Sequence, residues 1–161
     1  MKTPDELDKI KAVVLYILNK CGGTQDFVSL VKKMYFAQQK YLVLYGRPIF
    51  NDMFYARERG PVPSFTYKAL FVGATKSGLS SEIDDFNASF SVSPLKGDKL
   101  ISSSELPDMD ELAIAEVEVI DDILNRTIFL NQKLYGVKYL IILSFTLMKM
   151  EIFIVKQQPF S

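Results

Sequence analysis

Residues 32–71 read KKMYFAQQKYLVLYGRPIFNDMFYARERGPVPSFTYKALF, and this stretch sets the architecture. Its first part continues an apolar stripe that starts upstream: Phe27, Leu30, Val31, Met34, Ala37 (or Gln38), Tyr41 and Leu44 recur with helical period. A helix from about Asp26 to Tyr45 is therefore expected, closed by Gly46 with Pro48 just beyond. From Ile49 to Gly60 the pattern changes. Phe50, Phe54 and Tyr55 sit among Asn51, Asp52, Arg57 and Arg59, which reads as a loop and then a short extended piece. Gly60-Pro61-Val62-Pro63 removes two backbone donors and fixes two φ angles, giving a rigid bend. A third, short helix is expected over Ser64 to Val72.

Upstream, Thr3-Pro4-x-Glu6 is a capping box with proline at the first helical position. Leu7, Ile10, Val14, Ile17 and Leu18 follow at helical steps, and Gly22-Gly23 stops the helix. Two amphipathic helices joined by a short glycine turn suggest an antiparallel pair. Downstream, residues 73–104 are rich in serine and glycine. Strands are expected at Ala88–Val92 and Lys99–Ser103, joined by the Pro94–Asp98 loop. Asp108-x-x-Glu111 is a second capping box, expected to open a helix at Met109 that runs through Leu124 or to Leu134. Its apolar face is Leu112, Ala115, Val119, Ile120 and Ile123. The fold class is α+β and mostly α: a helical single domain with a small β-hairpin.

Composition agrees. The chain has 161 residues, 48% hydrophobic and 24% charged, close to the soluble globular average. Nineteen basic and nineteen acidic side chains cancel, so there is no general attraction to nucleic acid or anionic membrane. The charge is segregated, however. Residues 1–47 hold eight Lys/Arg against four Asp/Glu, and residues 105–122 hold eight acids and no base. That acidic segment reads either as a solvated helix face or as a surface for a basic partner. With no histidine, catalysis by Ser-His-Asp or Cys-His and zinc sites built on histidine are excluded. The single cysteine, Cys21, excludes an intrachain disulfide and reads as a structural thiol. The N-terminus lacks the apolar core of a secretory signal, and Tyr139–Met148 is too short to span a membrane, so a cytoplasmic location is expected.

The ordered features of the block resemble the Panacea domain, the family of SocA-like antitoxins and related phage-associated proteins. Lys33 and Tyr35 lead into Phe36-Ala37-Gln38. Leu44-Tyr45-Gly46-x-Pro48-Ile49-Phe50 follows, then Ala56 in a polar-aromatic segment, then Gly60-Pro61-Val62 with Tyr67 beyond. The resemblance extends over residues 5–136, so residues 1–136 read as the Panacea-like domain. It implies a bacterial, non-catalytic protein that binds and neutralises a cognate toxin, commonly encoded beside it. In the SocA-like case the antitoxin delivers the toxin to the ClpXP protease. No cofactor and no metal are implied.

On this reading the partner-binding residues are Tyr35, Gln38, Tyr45, Tyr55, Arg57, Arg59, Gly60, Pro61, Val62 and Tyr67. Tyr41 belongs to the same set of block tyrosines. Tyrosine and arginine concentrate binding energy at protein interfaces, although each tyrosine also suits the edge of a core. Arg57 and Arg59, two apart, point the same way if the segment is extended. Residues 137–161 form an atypical apolar tail that departs from the family, which continues with a histidine-containing helical element. A frame slip is one explanation: plausible codons from Leu140 onward, read one base later, restore that element. Two other functions compete. A nucleic-acid-binding regulator would use the basic N-terminal helices, where Lys32-Lys33 is the only adjacent basic pair. A Mg²⁺-dependent hydrolase would use Asp84-Asp85, Asp108 with Asp110-Glu111, or Asp121-Asp122.

Overall fold

The computed structural model describes residues 2–72 and 81–133. The start of the serine- and glycine-rich stretch (residues 73–80) and the tail at 137–161 lie outside them. The fold is α+β and mostly α, with five α-helices and two small antiparallel sheets among the described residues. The chain divides into two compact units, Met1–Tyr35 with Phe50–Ala113, and Phe36–Ile49 with Ile114–Ser161.

In the first unit, helix α1 spans Pro4–Lys20. Its capping box forms as expected: Glu6 N donates to Thr3 Oγ1 at 3.3 Å and Thr3 N donates to Glu6 Oε2 at 2.8 Å. Ile10, Val13, Val14, Ile17 and Leu18 are fully or almost fully buried. Gly22 and Gly23 follow with φ of 84° and 87°, a left-handed pair that side chains resist. The chain then does not pass straight into the next helix. Thr24–Asp26 forms strand β1, and helix α2 runs Phe27–Tyr45, its residues from Phe36 belonging to the second unit.

Strand β1 has no alternating pattern of its own. It exists because Thr24, Gln25 and Asp26 pair with Ser102, Ile101 and Leu100. Those residues lie in β5 (Asp98–Ser102), which also pairs with β4 (Ser91–Leu95) and so is the middle strand of a three-stranded sheet. The expected hairpin forms, but its first strand lies at 91–95 rather than 88–92 and its second at 98–102 rather than 99–103. A helix, α4 (Ser81–Asn87), occupies the preceding residues, and its end consumes Ala88 through Ala88 N donating to Asp84 O at 3.0 Å. Phe86 of α4 is buried and packs edge-on against Phe65, centroids 5.2 Å apart. Pro94 falls inside β4, which tolerates it as an edge strand.

The segment at 60–63 is also corrected. It is not a bare bend but strand β3 (Gly60–Pro63), paired with β2 (Phe54–Arg57). Helix α3 (Ser64–Thr66) starts at once and continues as a π-helical stretch, Tyr67–Val72. Pro63 holds the N-cap position and has no side-chain acceptor. Asp52 supplies one from a distance: Phe65 N donates to its carboxylate at 2.8 Å, Thr66 N at 3.0 Å and Thr66 Oγ1 at 2.9 Å. Asp108 caps only a single 3-10 turn, Met109–Glu111, where Asp110 N donates to it at 3.0 Å. Leu112 is extended (φ −115°, ψ 119°) and buried, so the helix expected at Met109 begins instead at Ile114.

The segregated charge is partly matched within this unit. Lys9 Nζ donates to Glu111 O at 2.6 Å and Lys11 Nζ lies 3.0 Å from Glu105.

The second unit contains the later turns of α2 and helix α5 (Ile114–Lys133). Among its described residues, Phe36, Ala37, Tyr41, Ile49, Val119, Ile120, Ile123 and Leu124 are the buried apolar side chains. Asp122 pairs with both Lys40 and Arg126. No helix among the described residues is long and apolar enough to cross a membrane.

Candidate functional site

The β2–β3 hairpin alternates as strands must. Opposite pairs are Phe54–Pro63, Tyr55–Val62, Ala56–Pro61 and Arg57–Gly60. A proline cannot exchange N–H···O bonds with the residue opposite it, so the bonded pairs are Tyr55–Val62 and Arg57–Gly60. Ser64 N donating to Met53 O at 2.8 Å continues that alternation. Phe54 turns toward Tyr35 and Phe50, with centroids 5.3 and 6.1 Å away. Tyr55, Arg57 and Val62 therefore share the opposite face. Tyr55 is 51% exposed, a large ring left open to solvent.

Arg57 lies over the Tyr67 ring, 4.2 Å from its centroid, with Nη1 3.4 Å from the hydroxyl. Tyr67 stacks on Phe71 at 5.1 Å with 14° between planes, and Lys99 Nζ lies 5.8 Å from the Phe71 centroid. A stacked aromatic pair is thus flanked by two cations. Phe27 meets both rings from α2, at 6.0 and 5.2 Å. Arg59 does not point with Arg57, because it sits in the turn, where strand alternation ends. Its Nη1 donates instead to Gly97 O at 2.7 Å, tying the hairpin to the β4–β5 turn.

Gly60, with φ +119°, closes the hairpin in a conformation that favours glycine. A Cβ there would stand 3.7 Å from Lys32 Cε. Burial pushes the Lys32 ammonium below its ordinary pKa; the charge of Arg59 acts the same way and Asp26 opposes it. Burial likewise raises the Asp98 carboxyl, against hydrogen bonds from Lys99 N and Val28 N.

The other expected residues lie elsewhere. Tyr35 is half-buried behind Phe54. Gln38 is buried, and its Oε1 accepts Ile49 N at 2.9 Å, which holds the chain after Pro48. Tyr45, in the second unit, is 49% exposed and packs on Tyr41 at 4.5 Å. Tyr41 itself is buried, with Arg47 Nη2 3.2 Å from its hydroxyl.

Sequence reading did not single out Asp52, Phe71, Lys99 or Lys32 for this site. Only Asp52 left a signal: a helix start whose own cap position is proline needs an acceptor from another segment. The acids proposed for metal binding are not gathered; among the described residues no group of three or more acids or cysteines is placed to hold a metal ion.

The described residues are mostly helical, and the first unit carries a tyrosine- and arginine-bearing hairpin. The family described as antitoxin SocA-like, Panacea domain, matches residues 30–133, and the chain belongs to it. Comparison with curated proteins and with solved structures finds no match.

Proposed function

We propose that this protein is an antitoxin that binds a cognate protein toxin and neutralises it, with no bond chemistry of its own. The observation that carries the reading is the family match over residues 30–133, which includes the whole β2–β3 hairpin. The face formed by Tyr55, Arg57, Val62 and Tyr67, with Arg59 at its end, is the proposed docking surface. Tyr55 offers exposed apolar area with a hydroxyl, and Arg57 is already held in place by Tyr67. Ordered anchors of this kind lose little side-chain entropy on binding. Gly60 and Pro61 shape the turn, and Tyr35 backs it through Phe54. Delivery of the bound toxin to ClpXP is the proposed mode of neutralisation, on the SocA-like precedent. The cytoplasm is the proposed compartment.

The test is co-expression with the product of the adjacent gene. Growth should be restored and the two proteins should co-purify. Tyr55→Ala with Arg57→Ala should weaken the complex by about tenfold or more while thermal unfolding stays unchanged. Absence of both rescue and complex would refute the proposal. Delivery is checked separately, by following ClpXP- and ATP-dependent loss of labelled toxin with and without this chain.

A further inference from the structure

The outward strand edges among the described residues are not equivalent. Strand β1 is three residues long and leads straight into a helix. Strand β4 carries Pro94 opposite Lys99, so its missing donor faces out of the sheet. Strand β3 carries Pro61 and Pro63 in the same outward sense. Proline on an outer edge blocks the addition of another strand. Strand β2 has no such block. Phe54 and Ala56 stand opposite the two prolines, so their own N–H and C=O groups point away from β3. No backbone partner for these groups occurs among the described residues. Tyr55, Ala56 and Arg57 are all exposed.

The charge beside this edge is mainly positive. Arg57 and Arg59 flank the single acid Glu58, and Lys32 lies under Gly60. Asp26 and Asp98, the nearby acids on other elements, accept from Ser29 N at 2.9 Å and Lys99 N at 2.7 Å. Each guanidinium has donors left over after its contact with Tyr67 or Gly97, in a fixed orientation suited to carboxylates. A second copy would bring the same cations, and its β2, Phe-Tyr-Ala-Arg, has no acid to offer.

We propose that an extended, acidic segment of the protein partner adds as a third strand to the free edge of β2, its alternate side chains lying beside Tyr55 and Arg57. This deepens the docking reading above and rests on it. Backbone bonds from Phe54 and Ala56 supply affinity; the cations select acidic side chains.

The test uses the full chain and two labelled eight-residue peptides, one of alternating Glu and Val, the other of alternating Lys and Val, read by fluorescence anisotropy at low salt. The acidic peptide should bind about tenfold tighter or more, a difference that added salt reduces. Ala56→Pro places the same block on β2 that β3 already carries, without touching the inward bonds. It should lose about tenfold or more in affinity for the acidic peptide. Arg57→Glu, which leaves the backbone intact, should abolish the preference and decides the matter if Ala56→Pro does not fold. Equal binding of the two peptides, full binding by Ala56→Pro, or a dimer on sizing that Ala56→Pro dissolves would overturn the proposal. Capture of toxin without these peptide effects would remove the added strand and keep the antitoxin reading. The reverse result would keep the strand and remove the antitoxin.

Discussion

Replacing Asp52 by alanine should cost this protein a large share of its stability. The carboxylate accepts from Phe65 N, Thr66 N and Thr66 Oγ1 at 2.8, 3.0 and 2.9 Å, and Asp52 is only 6% exposed. Two of these donors are backbone groups at a helix start, and Pro63 cannot replace the acceptor. Loss of an N-cap costs about 0.5–2 kcal/mol. The Thr66 hydroxyl, on a residue with no exposed surface, is left unpaired for about 1–3 kcal/mol more. A total of about 2–4 kcal/mol is expected, against the roughly 5–15 kcal/mol typical of folded domains. The assay is urea unfolding followed by circular dichroism, with the denaturant slope unchanged. Thr66→Val in the Asp52→Ala background should recover part of the loss, because the hydroxyl is then absent rather than stranded. A loss below about 1 kcal/mol, or no coupling between the two positions, would refute the argument that one carboxylate anchors the helix bearing Tyr67.

Three further outcomes follow from single contacts. Gln38→Leu should destabilise by about 1–3 kcal/mol in the same assay, since it strands the buried Ile49 N–H; a neutral result would show that the 2.9 Å bond is dispensable. Although burial pushes the Asp122 carboxyl up, hydrogen bonding and charge from Lys40, with Arg126 beside it, pull it further down, below its ordinary 3.8. The folded carboxyl is then the stronger acid, so its stabilisation is complete above the unfolded value and is lost as pH falls through the folded one. Asp122→Asn should flatten that acid limb in thermal unfolding measured against pH, and an unchanged limb would count against the pairing. Burial raises the Cys21 thiol above its ordinary 9.0, with Lys33 opposing, so fewer thiolates exist at neutral pH. Its reaction with a disulfide reagent should be slower than that of free cysteine, and a faster one would contradict the assigned environment.

Local chemistry alone carried much of this architecture. Thr3, Pro4 and Glu6 cap one helix through atoms three residues apart, and the stripe from Phe27 to Tyr41 needs no knowledge of what covers it. Such signals are short-range, so they are legible in order along the chain. The same holds for the run of residues that carries the family likeness, and for Tyr55 and Arg57 as exposed candidates. Strand β1 was not legible, because its three residues become a strand only by pairing with β5. Asp108 looked like a helix cap until Leu112 turned inward as an extended, buried residue and delayed the helix to Ile114. Gln38 looked like a contact residue until Ile49 N claimed its oxygen. In each case the outcome is set by pairing, burial or a hydrogen bond that exists only once the chain has folded. The free edge of β2 is the clearest instance. Prolines are visible as letters, but which side of a strand they silence depends on the register that pairs them with Phe54 and Ala56.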